Sequence, residues 1–399
     1  MDEAKMFLKF KLSNFMAILE EQEVSFTTYS YSKDIKHINN VACLVGANGS
    51  GKTSLLKGFL LFLCFSIKSY LPEYRSVFRI TPHFAAYDKP STFIVEWQHN
   101  DNRYTYELSI SNQTVLYERL RKLSEKNSYR TVFVRNNSKF RLYEMKVSKQ
   151  DQTRISDKAT LLSFLFEYGY IKNYQDGMLE PFEKILSNIM LGSGGALENS
   201  EMIFLNDIKE KLKDNELYSA LKRELEVVDT GIKDIVFQKT MFQKLNNSTH
   251  EVLEEKEMDA LYSIHSSKGV NYHLPIFCES DGTKNYIALF IRLYGVLRRG
   301  GLLIADELEK SLHIDLVERI LNLFMNPVTN KNNAQIIFST HNPWFLQYLA
   351  KSQIFIVEKN NDSSTEVTRL DDVEGVRNDE NFFIKYVNGA YDGKPKIKD

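Results

Sequence analysis

Residues 46–53 read GANGSGKT and constrain what this chain can fold into more than any other part of the sequence. Their spacing, G-x-x-x-x-G-K-[ST], lets the backbone N–H groups of a glycine-rich loop wrap around phosphates. A short apolar run at 41–45 precedes this phosphate loop and a helical apolar stretch follows it, which is the context that the motif requires. The sequence therefore predicts a buried strand, a phosphate-binding loop and a helix in direct succession.

Individual side chains of the phosphate loop have separate predicted tasks. Lys52 would reach the β- and γ-phosphates of a nucleotide, and the hydroxyl of Thr53 would bind magnesium. The N-terminal end of the following helix would add its partial positive charge next to the phosphates. The candidate nucleotide-binding residues of this segment are Asn48, Gly49, Gly51, Lys52, Thr53 and Ser54.

Two later apolar runs end in polar side chains that suit the same site. Residues 301–307 read GLLIADE, so a strand end there would place Asp306 beside the magnesium ion and let Glu307 accept the proton of an attacking water. Residues 336–341 end in His341, which could hydrogen-bond a γ-phosphate and sense its hydrolysis. Each pattern alone is common where strands end, but their order after a phosphate loop favours the functional interpretation.

The rest of the chain alternates between strand-like and helix-like patterns. Period-two alternation near the N-terminus and again from 93 to 140 predicts strands, the latter an antiparallel meander. Apolar residues at three- and four-residue spacing after residue 157 predict helices. We therefore expect an α/β fold with a mixed sheet, divided into an N-terminal lobe at 1–156, a helical insert at 157–265 and a C-terminal lobe at 266–399. A glycine-rich stretch at 192–195 is expected to be a flexible loop.

Composition excludes several classes of protein. The 51 Lys and Arg residues balance 52 Asp and Glu residues, which excludes a polybasic nucleic-acid binder and leaves only local contact with DNA. One local cluster mixes basic side chains with two tyrosines, and a solvated strand face explains it equally well. That cluster consists of Arg119, Arg121, Lys122, Lys126, Arg130 and Arg135 with Tyr117 and Tyr129.

Compartment and membrane association can also be judged from the sequence. Three cysteines without C-x-x-C spacing argue against a disulfide framework or a zinc site and fit the reducing cytoplasm. The most apolar stretch, at 55–67, is shorter than the roughly 20 residues that span a bilayer. The N-terminus lacks the apolar segment of a signal peptide. We expect a cytoplasmic protein without a membrane segment.

With these motifs in place, the sequence resembles the ABC-type P-loop ATPases of the SMC and RecF kind. Residues 279–284, ESDGTK, lie ahead of the acidic strand end, where those proteins carry a signature segment. The resemblance implies that Ser280 and Gly282 cap the γ-phosphate of a neighbouring subunit. The form E-S-x-G-T of this segment is similar to that of the abortive-infection and OLD-like branch. Four further segments resemble the AbiL/RloA-type ATPases of prokaryotic defence, namely FLKFKLSNF at 7–15, DELEKSLH at 306–313, STHNP at 339–343 and YVNGAY at 386–391.

The resemblance implies an enzyme that binds ATP and Mg²⁺ and hydrolyses ATP to ADP and phosphate. It also implies a homodimer or higher homo-oligomer that works with a separately encoded effector, such as a nuclease. The expected function is that of a sensor, motor or scaffold subunit in anti-phage defence. A RecF/SMC-like ATPase that repairs or clamps DNA is the alternative, and a sensor with very slow hydrolysis also stays open. The long separation between Thr53 and Ser280 disfavours a transporter subunit.

Overall fold

The computed structural model describes residues 5–29, 35–75, 78–123, 128–175, 177–189, 210–228, 230–245, 252–310, 312–391 and 393. The chain divides into two compact units. Unit 1 comprises Met1–Gly194, Val296–Glu309 and Glu318–Asp399, and unit 2 comprises Gly195–Gly295 and Lys310–Val317. Within the described residues, no helix combines the length and the apolar character needed to cross a bilayer.

The strands are β1 Lys5–Ser13, β2 Gln22–Ser25, β3 Thr27–Tyr29, β4 Ile35–Ile38, β5 Val41–Val45, β6 Ser91–His99, β7 Asn102–Ser111, β8 Thr114–Leu123, β9 Tyr129–Asn136, β10 Lys139–Leu142, β11 Ile185–Ser187, β12 Ile232–Leu245, β13 Val252–Ser267, β14 Val270–Pro275, β15 Leu302–Ala305, β16 Gln335–Thr340, β17 Ile354–Lys359 and β18 Thr365–Arg369. The α-helices are α1 Lys52–Lys68, α2 Pro72–Arg75, α3 Lys149–Gln152, α4 Leu161–Glu167, α5 Tyr170–Tyr174, α6 Glu180–Glu183, α7 Asn215–Val227, α8 Asp281–Arg299, α9 Ile314–Met325 and α10 Phe382–Val387.

Unit 1 contains a seven-stranded antiparallel sheet in the order β10-β9-β8-β7-β6-β1-β2. Burial alternates strictly along β6, because every second side chain faces the core and the others face away. The core side is rich in aromatic rings from this sheet and from α1, with Phe10 stacked on Phe59 at 4.3 Å and Phe62 stacked on Phe93 at 5.5 Å. The predicted antiparallel meander is confirmed.

A second sheet of unit 1 has the order β11-β15-β16-β5-β17-β18. Its strands are parallel except for β18, which runs antiparallel to β17. Strands β5, β15 and β16 are buried along their whole length, as expected from their continuous apolar runs. Since β5, β15 and β16 are neighbouring parallel strands, their carboxyl ends meet at one edge. The predicted α/β class with a mixed sheet is confirmed.

Helix α1 links the two sheets of unit 1, since it contacts β1 of the first sheet and β15 and β16 of the second. Most of its side chains are buried, which explains why residues 55–67 are so apolar without spanning a membrane. Gly58 packs closely against β1, because a Cβ at this position would lie 2.5 Å from Leu12 Cδ1. A larger residue at position 58 would require the side chains of Leu12 and Phe15 to shift.

The segment predicted as a helical insert, 157–265, is only partly helical and is divided between the two units. Helices α4 to α6 belong to unit 1, where α4 packs on α1. Residues 181–190 were expected to be helical, but Ile185–Ser187 forms β11 and pairs in parallel with β15. Three residues are too few for a period-two pattern to appear, so this strand depends on its tertiary partner.

Unit 2 contains the rest of that segment and part of the predicted C-terminal lobe. Helix α7 buries Leu217, Leu221 and Leu225 along one face, and Asp214 caps its first turn by accepting a hydrogen bond from Glu216 N at 2.9 Å. Strands β12, β13 and β14 form an antiparallel sheet. The buried Tyr286 of α8 donates to Glu224 Oε1 of α7 at 2.6 Å. The glycine-rich stretch at 192–195 lies outside the described residues.

Candidate functional site

The phosphate loop joins β5 to α1 at the carboxyl edge of the parallel strands, and glycine is required at several of its positions. Gly49 and Gly51 have positive φ values of 74° and 110°. A Cβ at Gly46 would lie 2.0 Å from Val357 O, so the loop rests directly on the backbone of β17. These constraints on backbone approach and conformation are the physical reason for the glycines of the motif.

Lys52 is the first residue of α1 and is only 4% exposed. Its Nζ donates to the carbonyl oxygens of Gly46 and Ala47, both at 2.9 Å, and lies 3.4 Å from His341 Nδ1. Burial lowers the pKa of Lys52 to about 8, although the nearby carboxylates of Asp306, Glu309 and Glu307 oppose that shift. The ammonium group is thus held inside the loop, where it can meet phosphate oxygens.

Asp306 follows β15 and connects to both neighbouring segments. Thr53 Oγ1 donates to Asp306 Oδ2 at 2.8 Å, and Ser339 Oγ donates to Asp306 Oδ1 at 2.5 Å. Hydroxyl and carboxylate oxygens are ligands that Mg²⁺ prefers, and it commonly uses one or two carboxylates together with substrate phosphates. The described residues contain no group of three or more His, Cys, Asp or Glu side chains that could hold a metal. The oxygens of Thr53 and Asp306 would suit a magnesium ion that is also bound by phosphate and water oxygens.

Glu307 and His341, the two candidate catalytic residues, lie next to each other. Glu307 Oε1 is 3.5 Å from His341 Nε2, and both side chains are partly exposed. Glu307 has a positive φ of 49°, an uncommon value for a non-glycine residue, and its backbone N–H donates to Ser339 Oγ at 2.8 Å. The turn after β15 thus presents the carboxylate outward while the hydroxyl of Ser339 holds the backbone.

A cavity of about 660 Å³ opens above the phosphate loop. Its lining includes residues 46–50, His341 and two residues near the C-terminus, Tyr386 and Gly393. Tyr386 donates its hydroxyl hydrogen to Gly393 O at 3.0 Å, which fixes that part of the wall. The sequence predicts no role for the segment YVNGAY at 386–391, but the structure places Tyr386 of this segment in the wall of the cavity.

Two polar residues organise the site although the sequence did not single them out. Asn188, just after β11, donates from Nδ2 to Asp306 O and accepts from Asp306 N, both at 2.8 Å. Glu309 Oε1 accepts from the backbone N–H of His341 at 2.7 Å. Asn188 was missed because its segment was expected to be helical, whereas Glu309 could have been noticed as a third acid after β15.

The signature residues Ser280 and Gly282 belong to unit 2, at the start of α8. Ser280 is exposed, and its Oγ accepts from Thr283 N at 3.1 Å, so it caps the helix. Backbone N–H groups at a helix N-terminus favour anions.

The structure narrows the basic cluster that was considered for DNA contact. Arg135 is only 2% exposed and donates to the carbonyl oxygens of Ala159 and Ser156, which makes it a structural residue. Arg119 and Arg121 both pair with Glu107. Lys122 is half-buried and donates to Gln175 Oε1 at 3.2 Å, Arg130 is exposed, and Lys126 lies outside the described residues. Lys139 and Arg141, which the predicted cluster did not include, are exposed on the neighbouring strand β10.

Two protein-family models match the chain. One, described as an AAA domain, matches residues 9–267, and the other, described as "AAA domain, putative AbiEii toxin, Type IV TA system", matches residues 194–346. No curated protein matches.

Two solved structures are also similar to the chain. They carry the titles "Structure of the recombination mediator protein RecF-ATP in RecFOR pathway" and the same with RecF-ATPrS. Each is 12% identical, and each match covers 92% of this chain and 98% of that chain, with TM-scores of 0.35 and 0.31.

Proposed function

This chain belongs to the AAA-domain family, and from that premise we propose that it binds ATP with Mg²⁺ in the cavity above the phosphate loop and hydrolyses it. The observation that carries the proposal is the meeting of Lys52, Thr53, Asp306, Glu307 and His341 at one edge of the parallel strands. These residues come from three distant segments of the chain. A phosphate cradle, an oxygen pair for magnesium and a carboxylate open to water are the parts that ATP hydrolysis needs.

Each of these residues has a distinct part in the proposed reaction. Lys52 would contact the β- and γ-phosphates, and Thr53 with Asp306 would hold a magnesium ion, which would supply positive charge next to the phosphates. Glu307 accepts the proton of the attacking water, and His341, which lies beside both Lys52 and Glu307, hydrogen-bonds a γ-phosphate oxygen. Release of phosphate by the purified protein with ATP and Mg²⁺ tests the proposal, and absence of any release above the Lys52→Ala background would contradict it.

Replacing Ser339 with alanine should lower ATP turnover about ten-fold, the effect of losing roughly 1.4 kcal/mol of transition-state stabilisation. The variant leaves Asp306 Oδ1 and the N–H of Glu307 without their shared hydroxyl partner. Ser66→Ala is the matched control, because Ser66 is equally buried but donates only to Phe62 O within α1. A turnover number for Ser339→Ala equal to that of the control would show that Ser339 does not position the acidic residues.

We propose further that the protein acts as a homodimer or higher homo-oligomer, in which Ser280 and Gly282 of one chain complete the site of another. Mixing a Lys52→Ala chain with a Ser280→Arg chain should then restore activity. Half of randomly formed dimers would contain one intact site, so a 1:1 mixture should recover about a quarter of the wild-type rate. Mixed dimers seen by native mass spectrometry without any recovery would count against shared sites.

For the biological role, we propose control of a separately encoded effector in anti-phage defence. The support is the family description that names a putative AbiEii toxin and matches residues 194–346. A DNA-clamping ATPase of the RecF/SMC kind is the second candidate, favoured by the exposed side chains of Arg130, Lys139 and Arg141 beside Tyr129 and Tyr143.

These two roles differ in what the purified chain binds. The clamp role requires ATP-dependent retention of DNA that an Arg130→Glu, Arg141→Glu double variant loses. The defence role requires that Lys52→Ala abolish phage protection in cells that carry the chain with its genomic neighbours, while the arginine double variant still protects. If Lys52→Ala and the arginine double variant both lose phage protection, the result would favour a function that acts through DNA.

A further inference from the structure

Thr365, the first residue of β18, lies against the phosphate loop although more than 300 residues of sequence separate them. We infer that Thr365 is a positioning residue that sets the orientation of the phosphate-binding backbone at Ser50 and Gly51. The inference rests on the proposed ATP site. It concerns a residue that no sequence motif includes and that is not among the residues proposed to hold the nucleotide or the magnesium ion.

The contact between Thr365 and the loop is close and fully buried. Thr365 Oγ1 donates to Ser50 O at 2.9 Å, and the side chain is 1% exposed. A Cβ at Gly51 would lie 1.9 Å from Thr365 Oγ1 and 2.9 Å from its Cγ2. The threonine therefore touches both residues of one peptide unit, through its hydroxyl on Ser50 and through its surface on Gly51.

Because the peptide bond is planar, this contact also determines the direction of the Gly51 N–H, which can donate to a phosphate oxygen. The C=O of Ser50 and the N–H of Gly51 belong to the same trans peptide unit and point in opposite directions. Because Thr365 holds the carbonyl on its own side, the N–H of Gly51 must point to the other side of the loop. The backbone N–H groups of this motif are the groups that bind phosphate oxygens.

The peptide unit would be free to rotate without such a partner. Gly51 has a φ of 110°, a value that glycine reaches readily and that other residues avoid, so its own backbone preference is weak. The Gly51 carbonyl is already engaged, since it accepts from Leu55 N at 3.0 Å in the first turn of α1. Thr365 fixes the preceding peptide unit, which joins Ser50 to Gly51.

Thr365 is itself held in place from two sides. Its N–H donates to Ala17 O at 2.8 Å, and its position in β18 is paired with Lys359 of β17. The same hairpin supports the start of the loop, where Gly46 rests on Val357 O. Strands β17 and β18 therefore form a platform under both ends of the phosphate loop.

The test compares Thr365→Val, Thr365→Ser and Thr368→Val. Valine has the shape of threonine but no hydroxyl, serine retains the hydroxyl, and Thr368 lies on the same strand without a hydrogen bond to the loop backbone in the described structure. Titration of a fluorescent ATP analogue should give a dissociation constant about ten-fold higher for Thr365→Val, since a buried carbonyl loses its donor. Thr365→Ser and Thr368→Val should stay within about two-fold of wild type.

A merely structural role would lower the melting temperature without separating KM from kcat. We expect Thr365→Val to raise KM for ATP while kcat at saturation stays within about two-fold of wild type. If Thr365→Val does not fold, Thr365→Cys, whose thiol is a weak donor, replaces it and should show the same loss of affinity.

The binding measurements distinguish failure of the proposed function from failure of the inference about Thr365. A wild-type protein that fails to bind the ATP analogue overturns the proposed function and this inference with it. A wild-type protein that binds while Thr365→Val, or Thr365→Cys in its place, binds equally well overturns the inference alone. Equal loss of affinity in Thr365→Ser and Thr365→Val would also overturn it, because the hydroxyl would then not be the group responsible.

Discussion

Glu307→Gln should slow ATP hydrolysis by about a hundred-fold or more while leaving ATP binding intact, because a glutamine cannot accept the proton of the attacking water. The substitution preserves the shape of the side chain. The hydrogen bond that holds this turn runs from the backbone N–H of Glu307 to Ser339, so the new side chain leaves it in place. Single-turnover phosphate release and ATP titration on the same preparation separate the chemical step from binding.

The matched control for this variant is Glu374→Gln, which removes the same charge from an exposed position of unit 1. It should hydrolyse ATP at the wild-type rate. If Glu307→Gln also hydrolyses at that rate, another group is the base, and Glu309, whose Oε1 is 2.7 Å from the backbone nitrogen of His341, becomes the next residue to replace. We further expect Glu307→Gln to accumulate in an ATP-bound assembly that size-exclusion chromatography resolves.

Lys52→Ala should weaken ATP binding by about a hundred-fold or more, the range found when one partner of a buried, hydrogen-bonded charge pair is truncated. The variant removes the ammonium group that the loop holds between the carbonyl oxygens of Gly46 and Ala47. Isothermal titration calorimetry with ATP, in the presence and absence of Mg²⁺, measures the loss directly.

Stability supplies an independent check on the Lys52 variant. Burial lowers the pKa of Lys52 to about 8, so the charged ammonium is less favourable in the folded chain than in the unfolded chain. The free energy of unfolding of the wild type should therefore rise as the pH increases above about 8, where only the unfolded chain still holds this proton, and Lys52→Ala should lack that rise. Lys57→Ala, on the same helix, is the control and should bind ATP normally. ATP affinity unchanged in Lys52→Ala would remove this residue from the proposed site.

Much of the fold could be predicted because its signals are local. The runs at 41–45, 302–305 and 335–340 are continuous and apolar, and each of them is a strand buried along its whole length. The phosphate loop is recognisable because glycine and lysine must occur at fixed spacing for one backbone segment to surround phosphates. Alternation along 91–99 likewise revealed an antiparallel strand.

The parts that escaped prediction depend on contacts between distant segments. Strand β11 has three residues and exists because β15 lies beside it, so its own sequence favoured a helix. Asn188, Ser339 and Thr365 act through hydrogen bonds to backbone groups of other segments. Such partners leave no periodic pattern. The division into units escaped for the same reason, since α4 is tied to α1 by packing rather than by its position in the chain.

The position of β5 between β16 and β17 has a consequence for synthesis of the chain. Strand β5 ends at Val45, but both of its neighbours lie beyond residue 334. At about 5–20 residues per second, the ribosome needs roughly 15–60 s to deliver them after β5 has been made. During that interval a fully apolar strand has neither native edge covered, and the phosphate loop lacks the hairpin on which it rests. Nascent chains stalled before β16 should therefore engage chaperones and fail to retain ATP, and ATP retention should appear only once β17 and β18 have emerged.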